Sequence, residues 1–167
     1  MDIFIYDACS LIYLTKINIK EKLVFLGSVK ICKSVKNELT SELEKFSDAR
    51  RLKENLDKNI IEVSRYKTTG RRIPGNIGKG EYESIALCLE IDALFVTDDH
   101  QALNIALNTG LKPKTSEIIL IDLLKKKIIN YESFKVYFLE LAQIKSLKPE
   151  IVLFFNEKAR EIENNEI

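Results

Sequence analysis

Five acidic residues of this chain follow predicted strands or begin predicted helices: Asp7, Glu38, Glu81, Asp98 and Asp99. Clustered carboxylates repel one another, and such a cluster persists at neutral pH only if protons or cations neutralise it. We find no histidine or lysine motif beside these acids that would act as an internal counter-charge. Carboxylate and water oxygens are the ligands that Mg²⁺ and Mn²⁺ take. Such an ion lowers the pKa of a bound water and stabilises charge on a phosphoryl group, so the acids predict a metal-dependent phosphoryl hydrolase.

Each acid also has a simpler interpretation. Asp7 stands directly before a predicted helix, where Asp is favoured as an N-cap. Glu38 lies in about the first turn of its helix, where the helix dipole favours a solvated acid. The catalytic interpretation requires the acids to meet at one edge of the fold, so it depends on the elements that carry them.

Short apolar runs alternate with helical patterns, which predicts an α/β fold with a parallel sheet of about four to five strands and right-handed crossovers. The predicted strands are Ile3–Tyr6, Val29–Cys32, Ile60–Val63 and Leu94–Val96, with a possible last strand at Leu111–Thr115 that Pro113 interrupts. Open α/β sheets bind ligands at the carboxyl ends of their strands. Asp7 closes the first strand, and Asp98 and Asp99 close the fourth, so this fold brings them to that edge.

The remaining pattern is helical. Helices are predicted at Ile19–Leu26, from Ser34 to about Asn55 with a possible break near Ser47, from Glu81 to the fourth strand, at His100–Asn108, and then at 117–127, 131–144 and from Pro149 onwards. Phe134, Tyr137, Phe138 and Leu141 recur at helical spacing, and such a stripe is more typical of a core than of a partner site.

An irregular basic loop precedes the helix of Glu81. Residues 65–79 contain five lysines and arginines, among them Arg71, Arg72 and Lys79, and no acid. Glycines and a proline punctuate the segment, which predicts a loop. A charged loop is commonly solvated surface, but a basic loop beside a site carboxylate is also suited to hold a nucleic-acid phosphate backbone. Both interpretations stay open.

Composition narrows the class of protein. The chain has 167 residues and a formal net charge of +1, so we expect one domain and no strongly basic nucleic-acid binder. No segment approaches the roughly 20 uncharged apolar residues of a membrane span, and the N-terminus lacks the pattern of a signal peptide. The three cysteines form no CxxC motif and stand in apolar contexts. We therefore expect buried, reduced thiols and a cytoplasmic protein.

The ordered series of acids and the phrases around them resemble the PIN domain family, the ribonuclease fold of VapC-type toxins. The opening and the phrase G-E-x-E-x-I-A-L are more similar to a PIN-like branch close to these toxins than to the best-known toxins themselves. YDACSLIYL is similar to the family's strand followed by D-[ST]-[SN]-x-L-I-x-L, and VKICKSVKNEL resembles its strand and acid-bearing helix. GKGEYESIALCLEIDALFVTDD resembles the segment with the third and fourth acids, including the T-x-D of Thr97 and Asp99. Cys9 stands where the family usually has Ser, Thr or Asn, and Ser10 is the neighbouring hydroxyl that could substitute.

The resemblance implies a site and an activity. Asp7, Glu38, Glu81 and Asp99 would be the catalytic quartet, and the metal ligands would be Asp7, Glu81 and Asp99 with Asp98 as a helper. Ser10, Thr97, Arg71, Arg72 and Lys79 would contact the substrate. The implied protein is a Mg²⁺- or Mn²⁺-dependent endoribonuclease, a homodimer and, as a toxin, a partner of a small antitoxin. Residues 1–125 would form the nuclease domain and 126–167 a helical extension packed on it.

Two other classes remain as alternatives. A PIN-like fold without turnover would serve as a scaffold that binds RNA or protein. A receiver domain or a haloacid-dehalogenase-type phosphatase would also place carboxylates at this edge. A receiver, however, needs an acceptor Asp after the third strand, where this chain has Ser64 and Arg65, and the phosphatase needs D-x-D, where it has Asp7-Ala8-Cys9.

Overall fold

In the computed structural model, residues 1–41, 47–67 and 72–165 are described, without the side chains of 47–49. The strands in these ranges are β1 (Ile3–Tyr6), β2 (Ser28–Cys32), β3 (Glu62–Ser64) and β4 (Leu94–Val96). The α-helices are α1 (Ala8–Lys16), α2 (Lys33–Ser41), α3 (Ser47–Asp57), α4 (Lys79–Ile91), α5 (His100–Asn108), α6 (Ser116–Lys125), α7 (Tyr131–Lys145) and α8 (Pro149–Asn164). None of the helices within these ranges has the length and apolar composition that a membrane crossing requires.

The strands form one parallel sheet in the order β3-β2-β1-β4. Ile5 of β1 pairs with Lys30 on one side and with Phe95 on the other. The predicted α/β fold with a parallel sheet flanked by helices is confirmed. The possible last strand is reduced to one bridge between Val96 and Lys114, since Pro113 has no N–H to contribute to a ladder.

Strand β1 is buried on both faces. Successive side chains of a strand point to opposite faces, and Phe4 and Tyr6 belong to the larger hydrophobic cluster whereas Ile5 belongs to the smaller one. The larger cluster also contains residues of α1, α6 and α7, and the smaller one contains residues of α4 and α5. This double burial explains why β1 is apolar without alternation.

The C-terminal helices share the core of the sheet. Phe134, Phe138 and Leu141 of α7 are buried in the cluster that contains β1, and the Phe134 and Phe138 rings stack at 5.4 Å. The prediction that this stripe belongs to the core is confirmed. Phe155 of α8 packs on Phe138 at 5.7 Å. A boundary between domain and extension at residue 125 stays a prediction.

Three predicted boundaries were wrong. The predicted helix at Ile19–Leu26 is a 3₁₀ helix at Lys20–Phe25. Strand β3 begins at Glu62 because the N–H groups of Ile60 and Ile61 donate to the carbonyl of Asn55 and complete the turn after α3. Helix α2 begins at Lys33, so Glu38 lies in its second turn rather than its first.

Candidate functional site

The carboxyl edge of the sheet collects the acid-bearing segments. Asp7 follows β1, α2 follows β2, and Asp98 follows β4 with one residue between them. The first turn of α4 reaches the same edge, because the Cys32 thiol at the end of β2 donates to the Gly80 carbonyl at 3.5 Å. The Cys32 sulfur also lies 3.5 Å from the Ser84 hydroxyl. The fold therefore brings all five predicted acids to one end of the sheet.

The Asp7 carboxylate is buried and held by hydroxyl and amide donors. Its side chain caps α1, since Oδ1 accepts from the Ser10 N–H at 2.8 Å and from Ser10 Oγ at 2.6 Å. Its Oδ2 accepts from the Thr97 hydroxyl. Burial raises the Asp7 pKa to about 6, although the hydrogen bonds from Ser10 and Thr97 lower it. Among the ion pairs of the described residues, none involves Asp7.

Ser10 supplies the hydroxyl that Cys9 lacks. The Ser10 side chain is fully buried and also lies 3.1 Å from the Val96 carbonyl, so it joins α1 to the end of β4. Cys9 is only partly buried, which corrects the expectation of three buried thiols, and all three cysteines are free. Burial, followed by the charges of Asp7 and Asp98, raises the Cys9 pKa to about 12. Cys9 is therefore a protonated thiol beside the site rather than a nucleophile.

Asp99 is joined to Asp7 through one hydroxyl. The Asp99 N–H donates to Thr97 Oγ1 at 3.1 Å, and that hydroxyl donates to Asp7. The Asp99 side chain is exposed and caps α5, where its Oδ1 accepts from the Ala102 N–H at 2.7 Å. A capping role and a site role are compatible here, because the cap positions the carboxylate at the edge.

The Asp98 side chain contacts α6 and α7. Its side chain is fully buried and accepts from the Ser116 N–H at 3.0 Å, from the Ser116 hydroxyl and from Lys145 Nζ at 2.6 Å. Lys145 also pairs with Glu117. Burial lowers the Lys145 pKa, but Asp98 and Glu117 raise it by more. The sequence-based statement that no internal cation answers the acids was therefore wrong for Asp98. No local motif reveals Lys145, because 47 positions separate it from Asp98.

Glu38 and Glu81 line one cleft between α2 and α4. The cleft has a volume of about 430 Å³ and is lined by Ser34, Asn37, Glu38, Gly78, Lys79, Gly80 and Glu81. A Cβ at Gly80 would lie 3.4 Å from the Glu38 carboxylate, and one at Gly78 would overlap the Glu81 carboxylate. Gly78 therefore leaves the space that the Glu81 carboxylate occupies, whereas the nearest atom to a Cβ at Gly80 would be on the Val35 side chain, at 3.2 Å.

Glu83 joins the two acid-bearing helices and was not among the predicted site residues. Its Oε2 accepts from the Ser34 N–H at 3.1 Å, so a side chain of α4 satisfies a donor in the first turn of α2. A carboxylate is also favoured at this positive end of a helix. Its only sequence signal was a second glutamate two positions after Glu81.

The predicted basic contacts fall in three places. Arg71 lies outside the described residues. Arg72 is exposed but does not line the cleft among the described residues, whereas Lys79 is exposed and does. The described part of the loop is anchored, because Ile73 is buried and Gln101 donates to the Asn76 carbonyl at 2.7 Å.

The side chains at this edge fit a hard divalent cation by donor chemistry, since they are carboxylates. They are not gathered around one point: within 1–41, 47–67 and 72–165, no three His, Cys, Asp or Glu side chains lie close enough to share an ion. The structure instead shows the Asp7 carboxylate linked through Thr97 to the Asp99 backbone N–H, and Glu38 and Glu81 on the walls of one cleft.

Comparison with known families identifies the fold. The sequence profile of a family described as PIN domain matches residues 3–151, which is more than half of the chain. The chain belongs to the PIN domain family. PIN domains are generally nucleases and usually use divalent metal ions. A comparison with curated proteins finds no match to this chain.

Proposed function

We propose that this PIN domain is a Mg²⁺- or Mn²⁺-dependent endoribonuclease that hydrolyses phosphodiester bonds of RNA. The observation that carries the proposal is the environment of Asp7. A carboxylate that is 1% exposed, with its pKa raised by burial, sits at the junction of β1 and β4 beside further acids. A cation bound there would compensate the buried negative charge.

The proposed roles follow from position. Asp7, Asp99, Glu81 and Glu38 would hold the ion, which requires these side chains to move closer together than they stand in the structure. The bound ion would activate a water and stabilise the phosphoryl charge. Ser10 and Thr97 orient the Asp7 carboxylate, and Glu83 holds α2 against α4. Asp98 is not proposed as a ligand, because the Lys145 ammonium group already neutralises its fully buried carboxylate.

Lys79 is proposed to bind a substrate phosphate. It is an exposed lysine on the wall of the cleft that contains Glu38 and Glu81. A cation in this place attracts a phosphate backbone. Arg71 and Arg72 are proposed to extend this contact along the loop.

We further propose a cytoplasmic toxin that acts as a homodimer and is blocked by a small antitoxin. This finer proposal rests on the resemblance of the ordered acidic series to the PIN family of VapC-type toxins. Induced expression in bacteria tests it: growth arrest should depend on Asp7 and be relieved by co-expression of an adjacent short reading frame. Normal growth with active enzyme present would leave a nuclease that is not a toxin.

The nuclease is tested with a mixed RNA pool and purified chain in Mg²⁺ or Mn²⁺, with EDTA as the metal control. Asp7→Asn should abolish cleavage. Asp92→Asn is the matched control, because Asp92 is exposed and has a φ of 52°, a conformation that Asn also adopts readily. Cleavage that EDTA or Asp7→Asn leaves unchanged would contradict the proposal.

The second candidate is a scaffold that binds RNA or protein without turnover. The absence of three gathered ligands among the described residues favours it. Metal-dependent stabilisation with no cleavage of any RNA in the pool would support the scaffold.

A further inference from the structure

A buried ion-pair cluster connects α7 to the acidic edge. Its members are Asp98, Glu117 and Lys145, whose side chains are 0%, 4% and 12% exposed. Lys145 is the last residue of α7, and Glu117 lies in the first turn of α6. The Lys145 ammonium group also lies 5.7 Å from the centre of the Tyr13 ring of α1. One side chain therefore contacts three separate parts of the fold.

Asp98 belongs to a three-residue segment whose side chains diverge. Thr97 donates to Asp7, Asp99 caps α5, and Asp98 accepts from Ser116 and Lys145. The backbone N–H of Asp99 returns to Thr97 Oγ1. Because the three residues are consecutive, a shift of Asp98 displaces both of its neighbours. These are Thr97, which donates to Asp7, and Asp99.

The Lys145 ammonium group is shared by two buried carboxylates. Buried charges persist only when they are paired and hydrogen-bonded. Ser116 donates two hydrogen bonds to Asp98 but carries no charge. Removing Lys145 would leave Asp98 and Glu117 as uncompensated neighbours, and their repulsion would move the Asp98 side chain.

We propose that Lys145 is a positioning residue of the acidic edge. Through its ion pair with Asp98, it keeps Thr97 and Asp99 in their positions next to Asp7. The proposal rests on the proposed nuclease function only for its consequence on cleavage. It assigns α7 a second role beyond its place in the hydrophobic core. An ion pair with a plain structural role stabilises the whole fold, whereas a positioning residue affects one segment selectively. This difference distinguishes the two roles of Lys145 by experiment.

Hydrogen exchange tests the positioning role directly. The probes are the amides of Asp99 and Ser10, which donate to Thr97 Oγ1 and Asp7 Oδ1, and the reference is the amides of β1 in the same sample. Lys145→Met should raise the exchange rate of the Asp99 amide by about tenfold or more relative to the amides of β1. This is the change expected when a buried hydrogen bond is lost. Ser10 should follow in the same direction.

The matched control is Lys114→Met. The Lys114 side chain pairs with Asp122 of α6 in another partly buried ion pair, whereas its contact with Thr97 is made by the Lys114 backbone carbonyl, which the substitution keeps. Loss of the side chain should therefore lower stability without a selective effect at Asp99. Equal acceleration at β1 and Asp99 in Lys145→Met would make Lys145 a plain structural residue and overturn the proposal.

A second variant covers failure of Lys145→Met to fold. Lys145→Met combined with Glu117→Gln removes one positive and one negative charge, so the cluster keeps its net charge while Asp98 loses its link to α7. Faster exchange at Asp99 than at β1 is again expected, because Asp98 remains a buried carboxylate without its cation. The proposal would be overturned if the Asp99 amide exchanged at the same rate in the double variant as in Glu117→Gln alone.

A cleavage assay separates this proposal from the function itself. If wild-type chain cleaves RNA, Lys145→Met should lower kcat by more than Lys114→Met does at the same temperature, and Lys145→Arg should recover part of the loss. If wild-type chain does not cleave, the proposed function fails, while the exchange experiment still decides whether Lys145 positions the segment. A kcat equal to that of Lys114→Met in an active enzyme would count against positioning.

Discussion

The Thr97 hydroxyl donates to the Asp7 carboxylate although 90 positions separate the two residues. The contact joins the ends of β1 and β4, which are adjacent strands of the sheet. Both residues are buried, so the hydrogen bond is shielded from water. Thr97 thus holds Asp7 Oδ2, while Ser10 holds Oδ1.

Thr97→Val should weaken both stability and cleavage. The substitution keeps the shape but leaves Asp7 Oδ2 without its donor, a loss of about 1–3 kcal/mol in the free energy of unfolding. Denaturant unfolding and RNA cleavage measure the two effects. Thr109→Val is the control, because the hydroxyl of Thr109, the C-cap of α5, donates to the Ala106 carbonyl in the last turn of that helix. Equal loss of cleavage in both variants would contradict a special role for Thr97.

Gly78→Ala should separate activity from stability. Gly78 has φ −62° and ψ 161°, which alanine adopts without strain, but the new Cβ would overlap the Glu81 carboxylate. We expect the free energy of unfolding to change by less than about 1 kcal/mol while cleavage falls by at least about tenfold, since a small misplacement of a catalytic group is costly.

Gly110→Ala gives the opposite pattern and serves as the comparison. Gly110 has a φ of 87°, and nothing lies within 4 Å of an added Cβ. Strain in the backbone should lower stability by about 1–2 kcal/mol, with cleavage at low temperature preserved. Normal cleavage by Gly78→Ala would show that the position of Glu81 does not matter.

The free energy of unfolding of the metal-free chain should depend on pH because Asp7 titrates. The folded pKa of about 6 lies above the ordinary Asp pKa of 3.8, so the folded state binds the proton more tightly. Protonated Asp7 therefore contributes stability that is complete below about pH 4 and is lost as pH rises through 6. The size is about 2–3 kcal/mol for a shift of this extent.

Unfolding in EDTA between pH 4 and 7 measures this dependence. Asp7→Asn removes the titrating group. The free energy of unfolding of the wild type minus that of the variant should therefore decrease steadily with rising pH. A difference that is constant across this range would show that the Asp7 pKa is the same in the folded and unfolded chain.

Glu83→Ala should loosen α2 from α4. The variant leaves the Ser34 N–H without its acceptor, whereas Glu83→Gln retains a carbonyl oxygen that can accept. We expect lower cleavage in Glu83→Ala and partial recovery in Glu83→Gln. Glu90→Ala is the control on the same helix, because Glu90 accepts from the Lys67 N–H at 2.7 Å at the far end of α4. Equal kcat in Glu83→Ala and Glu90→Ala would remove Glu83 from the site.

Much of the fold was predictable because its signals are local. Apolar runs such as Ile3–Tyr6 mark interior strands, and their alternation with helices leads to a parallel sheet. The order of elements then places Asp7 and Asp99 at one edge. Boundaries failed where a hydrogen bond outside the run decided them, as at Ile60 and Ile61, whose N–H groups bond to Asn55.

The sequence by itself determined the chemical character of the edge: which residues are acids, which strands they follow, and that Ser10 and Thr97 carry hydroxyls near them. Only the tertiary structure decided how the acids differ. Asp98 and Asp99 are neighbours in sequence, yet one is buried against Lys145 and the other caps α5 at the surface. The physical reason is that a backbone turn sends consecutive side chains in different directions. Their partners on α6, α7 and α5 arrive there only when the core has packed.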